Sequence, residues 1–263
     1  MSFTKMQGAG NDFIVIDCLG DQAADYQALA PALCDRHFGI GADGLLLVLP
    51  SEVADFRMRV INADGTEPEM CGNGLRCFAR YLHVAGLSSA ASLAIETGAG
   101  VLGAEVLEDG VRLDMGAPRM AERMAEPLKV GDAAFEATAV SMGNPHCVVF
   151  VEDLDAFDFE QYGPLVEAHS AFPQRTNAEF AQVLAPDHIR LKVYERGVGP
   201  TLACGTGACA TLVAAALSGR TGRAAQVDLP GGTLAIAWGE DGRIQMTGPA
   251  QVVFKGVVDA LNL

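Results

Sequence analysis

The chain has 263 residues, of which 50% are hydrophobic and 19% charged, a balance that predicts a folded protein with a substantial core and excludes a disordered one. Its 33 acidic and 18 basic residues give a formal net charge of −15. That charge is the opposite of what a binder of nucleic-acid phosphates or of an anionic membrane surface needs, so we expect neither partner.

The predicted elements form two similar series along the chain. The first half is predicted to contain, in order, a strand at 13–16, a helix at 26–37, a strand at 56–60, a helix at 75–84, and strands at 92–96 and 111–115. The second half is predicted to contain strands at 147–151 and 189–193, a helix at 208–217, and strands at 226–229, 233–238 and 243–247. The helix at 208–217, ACATLVAAAL, is apolar on every side, which predicts that strands surround it.

An internal duplication explains this similarity. MCGNG at 70–74 and ACGTG at 203–207 carry cysteines 133 positions apart, and the same offset relates Gly10-Asn11 to Gly143-Asn144 and the alternating strand at 56–60 to that at 189–193. We therefore predict an α+β fold of two similar domains, each a mostly antiparallel sheet wrapped around a central helix, with the active site in the cleft between them. The domains are expected at 1–117, joined by a returning C-terminal strand at about 251–263, and at 118–250. Pro118 and the charged segment 122–129 mark the boundary.

Several familiar motifs are absent or lack their required context. GIGADG at 39–44 and GAGVLG at 98–103 match a dinucleotide-binding pattern, but strand-like sequence rather than a helix follows each, so both are interpreted as turns. There is no P-loop, HExxH or CxxC motif, and no lysine lies in a context typical of pyridoxal phosphate. We expect neither a cofactor nor a metal.

The seven cysteines and the N-terminus indicate the compartment. An odd number of cysteines without a disulfide pattern is typical of free thiols in a reducing environment. The first residues, MSFTKMQGAG, lack the apolar core of a signal peptide, and no stretch approaches the roughly 18 apolar residues that span a bilayer. A cytoplasmic protein is expected.

Two of these cysteines, Cys71 and Cys204, begin the central helix of each half. A helix N-terminus stabilises a thiolate, so the pKa of each thiol is expected to fall, as suits a base. The backbone N–H groups after each cysteine would hold a carboxylate; they belong to Gly72, Asn73, Gly205 and Thr206. Two acid/base groups on opposite faces of one carbon invert a stereocentre, which indicates a racemase or epimerase. The alternative, a small buried cysteine at each helix start, fits a lone cysteine better than a matched pair.

Polar residues beside these motifs favour an amino-acid ligand. Five of the six asparagines lie in or next to them, at Asn11, Asn62, Asn73, Asn144 and Asn177. An amide offers donors and an acceptor without net charge, which suits a zwitterion, although asparagine also favours turns. Three further candidates are Glu195, Arg196 and His146, for which a solvated ion pair and a core histidine remain open alternatives.

Six segments resemble the diaminopimelate epimerases, which do not use pyridoxal phosphate. They are GAGNDFIVID (8–17), DRHFGIGADG (35–44), INADGTEPEMCGNGLRCFARYL (61–82), GNPHCV (143–148), RTNAEF (175–180) and YERGVGPTLACGTGACA (194–210). The related proline racemases typically have histidine after Cys-Gly in the first motif, where this chain has Asn73.

The resemblance implies interconversion of LL- and meso-2,6-diaminoheptanedioate, with Cys71 and Cys204 as the acid/base residues. It implies that His146 and Glu195 are important for activity. Substrate contacts are implied at Asn11, Asn62, Gly72, Asn73, Asn144, Asn177, Glu195, Arg196, Gly205 and Thr206. A homodimer is implied too, with Phe254 where several members have an interface tyrosine and Gly44 where some have glutamine.

Three alternatives remain at this point. Another amino-acid racemase on the same scaffold would act on proline or glutamate. A non-catalytic amino-acid-binding protein would keep the cleft without the chemistry. A thiol redox sensor would form a functional disulfide between Cys71 and Cys204.

Overall fold

The structure is a computed structural model that describes residues 1–20, 24–120 and 126–259. The helices in these ranges are α1 (Tyr26–Cys34), α2 (Gly72–Val84), α3 (Phe159–Glu167) and α4 (Gly205–Leu217). The strands before residue 115 are β1 (Ser2–Gly8), β2 (Asn11–Asp17), β3 (Gly44–Leu49), β4 (Phe56–Asn62), β5 (Ser92–Thr97), β6 (Gly100–Val106) and β7 (Val111–Asp114). The strands that follow are β8 (Arg119–Met120), β9 (Glu126–Val130), β10 (Ala133–Ser141), β11 (Pro145–Phe150), β12 (Asn177–Ala185), β13 (His188–Glu195), β14 (Gly199–Thr201), β15 (Ala224–Leu229), β16 (Gly232–Trp238), β17 (Ile244–Gly248) and β18 (Gln251–Val257).

The chain divides into two compact units. The first comprises Met1–Leu113 and Gly248–Leu263, and the second comprises Asp114–Thr247. The boundary segment expected at 122–129 lies partly outside the described residues, since 121–125 are not described.

In the first unit the strand order is β18, β1, β2, β3, β4, β5, β6, β7. The β2–β3 and β4–β5 pairs are parallel, and the others in that order are antiparallel. A parallel pair needs a crossover, and helices α1 and α2 supply the two crossovers. The C-terminal strand β18 pairs with β1 and so belongs to this unit.

The second unit repeats this order with β10, β11, β12, β13, β15, β16 and β17, and its parallel pairs are β11–β12 and β13–β15. Helices α3 and α4 begin 133 residues after α1 and α2 and have the same lengths. The register is repeated as well: Val15 faces Leu46 across β2–β3, and Val148 faces Glu179 across β11–β12. The predicted α+β fold with two similar halves is therefore confirmed.

Each central helix packs against strands of its own unit. Helix α2 contacts β1, β2, β3, β4, β6 and β18, and helix α4 contacts β10, β11, β12, β15 and β16. Residues 207–215 of α4 are all buried, which confirms the interpretation of its apolar sequence. Helix α2 is more polar, and its fully buried Arg76 donates through Nε to the carbonyl oxygen of Pro249 at 3.3 Å. No helix within the described ranges is long and apolar enough to cross a membrane.

Some predicted boundaries were wrong for identifiable reasons. The helix predicted at 26–37 ends at Cys34, because the Asp35 carboxylate accepts the N–H groups of His37 and Phe38 at 2.7 Å and turns the chain. Both central helices begin three residues earlier than predicted, since Cys71 and Cys204 cap them directly. The segment 98–103, interpreted as a turn, enters β6 at its third residue.

Candidate active site

In the first unit, Cys71 is the residue that caps helix α2. Its backbone is extended (φ −138°, ψ 112°), and its Sγ accepts the N–H of Gly74 at 3.4 Å. A sulfur in this position takes the place of the usual serine or aspartate oxygen at a helix start. Cys71 is also half-buried, whereas the other six cysteines are buried. The thiol is therefore fixed by the helix, in a residue that remains partly exposed.

Asn11 lies next to this thiol. Its Oδ1 is 3.8 Å from Cys71 Sγ and accepts a hydrogen bond from Asn73 Nδ2 at 3.2 Å. The sequence-predicted residues Asn11, Cys71 and Asn73 are thus brought together. Asn62 ends strand β4, and its side chain donates to Thr66 Oγ1 at 2.9 Å.

A charged network that the sequence analysis missed holds Asn11 in place. Asp43 accepts from Asn11 Nδ2 at 2.6 Å and pairs with Arg36 at 2.8 Å. Arg36 also pairs with Asp12 at 2.7 Å, and Lys5 lies 2.6 Å from the same carboxylate. Burial raises the pKa of Asp12, but hydrogen bonds from Arg36 and Lys5 outweigh it and bring the pKa to about 2. The signal in the sequence was the cluster of charged residues in the glycine-rich segment 35–44.

In the second unit, Cys204 caps helix α4 in the same way. Its backbone is extended (φ −121°, ψ 106°), and its Sγ accepts the N–H of Gly207 at 3.4 Å. Thr206 Oγ1 lies 3.6 Å from the sulfur and accepts Asn144 Nδ2 at 3.2 Å. The Asn144–Thr206 contact is the counterpart, 133 residues on, of the Asn11–Asn73 contact. The two cysteine positions, each within its own unit, therefore share one arrangement of helix cap and neighbouring asparagine.

The positions after each cysteine fit the predicted anion site. Gly72 and Asn73, like Gly205 and Thr206, are the first two residues of a helix, whose N–H groups have no acceptor within the helix. Such groups bind carboxylates well because they point outward at the positive end of the helix dipole.

The electrostatics of Cys204 differ from the prediction. Burial raises the pKa of this thiol well above its ordinary value, and the carboxylates of Glu195 and Glu179 raise it further. Hydrogen bonds from Thr206 and from the N–H of Gly207 offset this only in part. The prediction that the helix N-terminus lowers the pKa is therefore wrong for Cys204, because desolvation and two nearby negative charges outweigh the helix.

Of these two carboxylates, Glu195 is the one that is hydrogen-bonded to Cys204. It accepts the Thr201 hydroxyl at 2.6 Å and shares a hydrogen bond with Cys204. Burial raises the pKa of Glu195, an effect that the Thr201 hydrogen bond opposes and the charge of Glu179 reinforces. The structure therefore places in contact a carboxyl group and a thiol whose pKa values are both raised by burial.

His146 is fully buried at the start of β11, and both of its ring nitrogens have partners. Nδ1 lies 2.6 Å from Glu179 Oε1, and Nε2 lies 2.9 Å from Asn144 Oδ1. Glu179, which the sequence analysis did not identify, is equally buried. The sequence did hold a signal for Glu179: the equivalent position of the first half, 133 residues earlier, is the apolar Leu46.

Asn177 and Arg196 complete the predicted set. Asn177 is buried, donates to the Pro145 carbonyl at 2.9 Å and accepts the Arg196 backbone N–H at 3.0 Å. It thereby ties the loop of Asn144 to the end of β13. The Arg196 guanidinium is exposed, and its contact is the Gln174 carbonyl at 3.4 Å. At Gly44, a Cβ would lie 2.5 Å from the Ile61 carbonyl oxygen, so this backbone excludes a side chain there.

Comparison with known sequences gives one consistent family. The profile described as "Diaminopimelate epimerase" matches residues 3–121 and 138–253. The diaminopimelate epimerase of Desulfitobacterium hafniense is 53% identical over 283 residues, covering 100% of both chains. That of Pelotomaculum thermopropionicum is 52% identical and covers 97% of this chain and 98% of its own.

Solved structures with similar folds are more distant in sequence. The Bacillus anthracis phenazine biosynthesis protein of the PhzF family aligns with a TM-score of 0.76 at 21% identity, covering 98% of this chain and 99% of its own. A hydroxyproline epimerase from Agrobacterium vitis, with bound trans-4-hydroxy-L-proline, aligns with a TM-score of 0.71 at 16% identity, covering 99% and 92%. At such identities these likenesses establish the fold alone.

Proposed function

The chain belongs to the diaminopimelate epimerase family, and from that premise we propose that it interconverts LL- and meso-2,6-diaminoheptanedioate with Cys71 and Cys204 as its two acid/base groups. The observation that carries this proposal is the matched pair of thiols. Each caps a central helix, each accepts the N–H three residues on at 3.4 Å, and each has an asparagine in its hydrogen-bonded surroundings.

Two thiols suffice for the proton balance of the reaction. One cysteine, as thiolate, removes the α-proton from one face, and the other, as thiol, gives its proton to the opposite face. After one turnover the protonation states of the two sulfurs have exchanged, and the reverse reaction restores them. The raised pKa of Cys204 favours its thiol form, so in that form Cys204 acts as the acid and Cys71 supplies the base. Glu195, hydrogen-bonded to Cys204, is proposed to orient that thiol and takes no proton in the turnover.

The ends of the substrate would be held by complementary groups. The N–H groups at positions 72–73 and 205–206 are proposed to bind the reacting carboxylate, whose developing charge they stabilise. Asn11, Asn62, Asn144 and Asn177 are proposed to contact the amino-acid ends of the substrate. Arg196 would pair with the distal carboxylate, and Glu195 with an ammonium group.

The arrangement of the whole enzyme is part of the proposal. Because both thiols must reach one α-carbon, the site is proposed to lie in a cleft between domains at 1–117 and 118–250. The C-terminal strand carries exposed Val253, Phe254 and Val257, and the Phe254 ring stands edge-on to Phe3 at 5.8 Å. These apolar side chains are proposed to form a homodimer contact. We further propose a cytoplasmic enzyme of lysine and peptidoglycan precursor synthesis that uses no cofactor or metal.

A substrate comparison tests the activity directly. The protein is incubated separately with LL-diaminoheptanedioate, L-proline and L-glutamate, and stereoisomers are separated by chiral chromatography. The meso isomer is expected from the first, and no inversion of the other two. Inversion of proline or glutamate instead would assign a different racemase activity. Absence of inversion with all three would favour a binding protein without catalysis.

A further inference from the structure

One buried carboxylate of the second unit has no part in the proposed reaction. Glu167 is the last residue of α3, and its side chain is 0% exposed. The equivalent residue of the first unit, 133 positions earlier, is Cys34, which ends α1 and is also buried. Because the first unit folds with a thiol there, the repeated architecture does not require a carboxylate at this position.

The two oxygens of this carboxylate hold two segments that are distant in sequence. Oε1 of Glu167 accepts the backbone N–H of Gly197 at 3.0 Å, and Oε2 pairs with the guanidinium of Arg175. A buried carboxylate needs such partners to replace the water that it has lost, and hydrogen bonds to a carboxylate are stronger than those between neutral groups. The side chain of Glu167 therefore ties the segment of Arg175 to that of Gly197.

The neighbouring residues make the same connection. The carbonyl oxygen of Glu167 accepts the N–H of Thr176 at 3.1 Å. Asn177, the next residue, accepts the N–H of Arg196 through its Oδ1 at 3.0 Å. Two successive N–H groups, those of Arg196 and Gly197, are thus bound by side chains that are both buried.

The partner of this carboxylate has an unfavourable backbone conformation. Arg175 is left-handed, with a φ of 60°, in a region that glycine adopts readily and that residues with a side chain adopt rarely. Glycine would suit this backbone better, but it would remove the guanidinium that pairs with Glu167. The arginine therefore indicates a use for the ion pair beyond the path of the chain.

The turn held by Glu167 connects β13 to β14 and carries two residues that are proposed to contact the substrate. The first of them, Glu195, is also held by other contacts. It pairs with Gly199 across the two strands, and its carboxylate accepts the Thr201 hydroxyl at 2.6 Å. The position of Glu195 therefore does not depend on Glu167 alone.

The second of them, Arg196, depends more on the backbone of the turn. Its guanidinium is exposed, and its contact with the Gln174 carbonyl oxygen, at 3.4 Å, is longer than a usual hydrogen bond. Its own N–H and the N–H of the next residue are the groups bound by Asn177 and Glu167. Removing the Glu167 carboxylate should therefore loosen Arg196 more than Glu195.

We propose that Glu167 is a positioning residue that fixes the turn of Arg196 and thereby strengthens binding of the distal, non-reacting carboxylate of the substrate. This proposal rests on the proposed function, in which Arg196 pairs with that carboxylate. A long side chain loses conformational freedom when it binds a ligand, and a fixed backbone leaves less freedom to be lost. The contribution of Glu167 should therefore fall on substrate binding rather than on the proton transfers.

The test replaces Glu167 with cysteine, the residue at the equivalent position of the first unit. Glu167→Cys is expected to raise KM about tenfold, part of the roughly ten- to hundredfold that a charge-assisted contact contributes, while kcat stays within about threefold. Glu167→Gln keeps an oxygen for the Gly197 N–H, so its KM should stay within about threefold of wild type. If Glu167→Cys does not fold, Glu167→Asp, whose carboxylate is one methylene shorter, takes its place with the same expected rise in KM.

A double variant separates this role from a general structural one. Glu167→Cys combined with Arg196→Ala should have the KM of Arg196→Ala alone, because Glu167 acts through Arg196 and the two effects do not add. The control is Asp155→Asn, which removes a carboxylate that pairs with Arg190 at 2.8 Å on the surface of the same unit. This control should leave both KM and kcat unchanged.

Amide hydrogen exchange, followed by NMR, measures the anchoring without reference to activity. The Gly197 N–H is bound to a buried carboxylate, so it should exchange slowly in the wild-type protein and in Glu167→Gln. In Glu167→Cys the same N–H should exchange about tenfold faster or more. Asp155→Asn should leave its exchange rate unchanged.

The outcomes separate this proposal from the proposed function. A folded Glu167→Cys protein with unchanged KM, a loss in kcat larger than the rise in KM, additive effects in the double variant, or unchanged exchange at Gly197 would each overturn the role of Glu167. Failure of both Glu167→Cys and Glu167→Asp to fold would overturn it too, because the residue would then serve folding. Failure of the wild-type protein to invert diaminoheptanedioate would refute the proposed function instead. Calorimetric titration with that compound and the exchange of Gly197 would then decide whether Glu167 holds a binding turn.

Discussion

The third residue of each central helix is a glycine, and alanine at the two positions should have different consequences. At Gly207, an added Cβ would lie 2.9 Å from Glu179 Oε1 and 3.2 Å from Cys204 Sγ. At Gly74, the same atom would lie 3.1 Å from a methyl group of Leu46 and 3.5 Å from Cys71 Sγ. Both substitutions favour the helix by up to about 1 kcal/mol, so the difference between them comes from what the new methyl group meets.

The neighbours of Gly207 cannot move away easily. The Glu179 oxygen is held by His146 at 2.6 Å in a side chain with no exposure to solvent, and the Cys204 sulfur is held by the helix start. Overpacking of this kind costs about 1–3 kcal/mol. Gly207→Ala should therefore be net destabilising by up to about 2 kcal/mol, which corresponds to a fall in melting temperature of several degrees for a chain of this size. At Gly74, the flexible end of Leu46 can shift by a few tenths of an ångström, and the net effect on stability should lie near zero.

The catalytic consequence should show the same asymmetry. Displacing Cys204 and Glu179 by a few tenths of an ångström is expected to lower kcat about tenfold in Gly207→Ala, since a displacement of about 1 Å can cost roughly a hundredfold, while Gly74→Ala should stay within about twofold of wild type. The assay is steady-state epimerisation followed by chiral chromatography, with differential scanning fluorimetry on the same samples. Equal losses of activity and stability in the two variants would refute the reasoning, because they would show that the Glu179 contact has no special importance.

Three further predictions follow from single contacts. Asp12→Asn should lower the free energy of unfolding by roughly 2 kcal/mol at neutral pH. The reason is that the depressed pKa of this carboxyl group stabilises the folded state at pH values above the ordinary pKa of 3.8. Urea titrations should show the difference between the two proteins shrinking as the pH falls from 3.8 toward about 2. Arg196→Ala should raise KM roughly ten- to a hundredfold without changing the melting temperature. The control Arg112→Ala, which removes a surface ion pair with Glu105, should leave KM unchanged. An unaltered KM in Arg196→Ala would show that Arg196 does not bind the substrate. Because Cys71 is half-buried and the other six cysteines are buried, brief alkylation at neutral pH should label Cys71 first, and peptide mapping that finds another cysteine modified earlier would contradict this.

The repeated architecture could be predicted because duplication leaves a record in sequence spacing. The two cysteine motifs gave the offset of 133 residues, which also related the strand at 56–60 to that at 189–193, and the apolar sequence at 208–217 identified a buried helix. Helix starts were placed three residues late, since a cysteine is an uncommon capping residue and glycines are poor helix formers.

The electrostatics could not be predicted in the same way. The pKa of Cys204 depends on burial and on where the side chains of Glu179 and Glu195 point, and the sequence places Glu179 25 residues before the cysteine within an ordinary-looking strand. Likewise, the ion pairs that anchor Asn11 depend on Arg36, which reaches Asp12 from 24 residues away. Such contacts arise from strand pairing and loop geometry rather than from local pattern.

The most direct test of the two-base mechanism is the fate of the α-hydrogen in D₂O. LL-diaminoheptanedioate is incubated with the enzyme, the reaction is stopped at low conversion, and the recovered LL substrate and meso product are analysed separately by mass spectrometry. With Cys71 and Cys204 acting on opposite faces, the product should carry solvent deuterium at the inverted carbon while the recovered substrate carries little, and Cys71→Ala and Cys204→Ala should each abolish product formation. Product that retains the original hydrogen, or either alanine variant with near-normal turnover, would contradict the account.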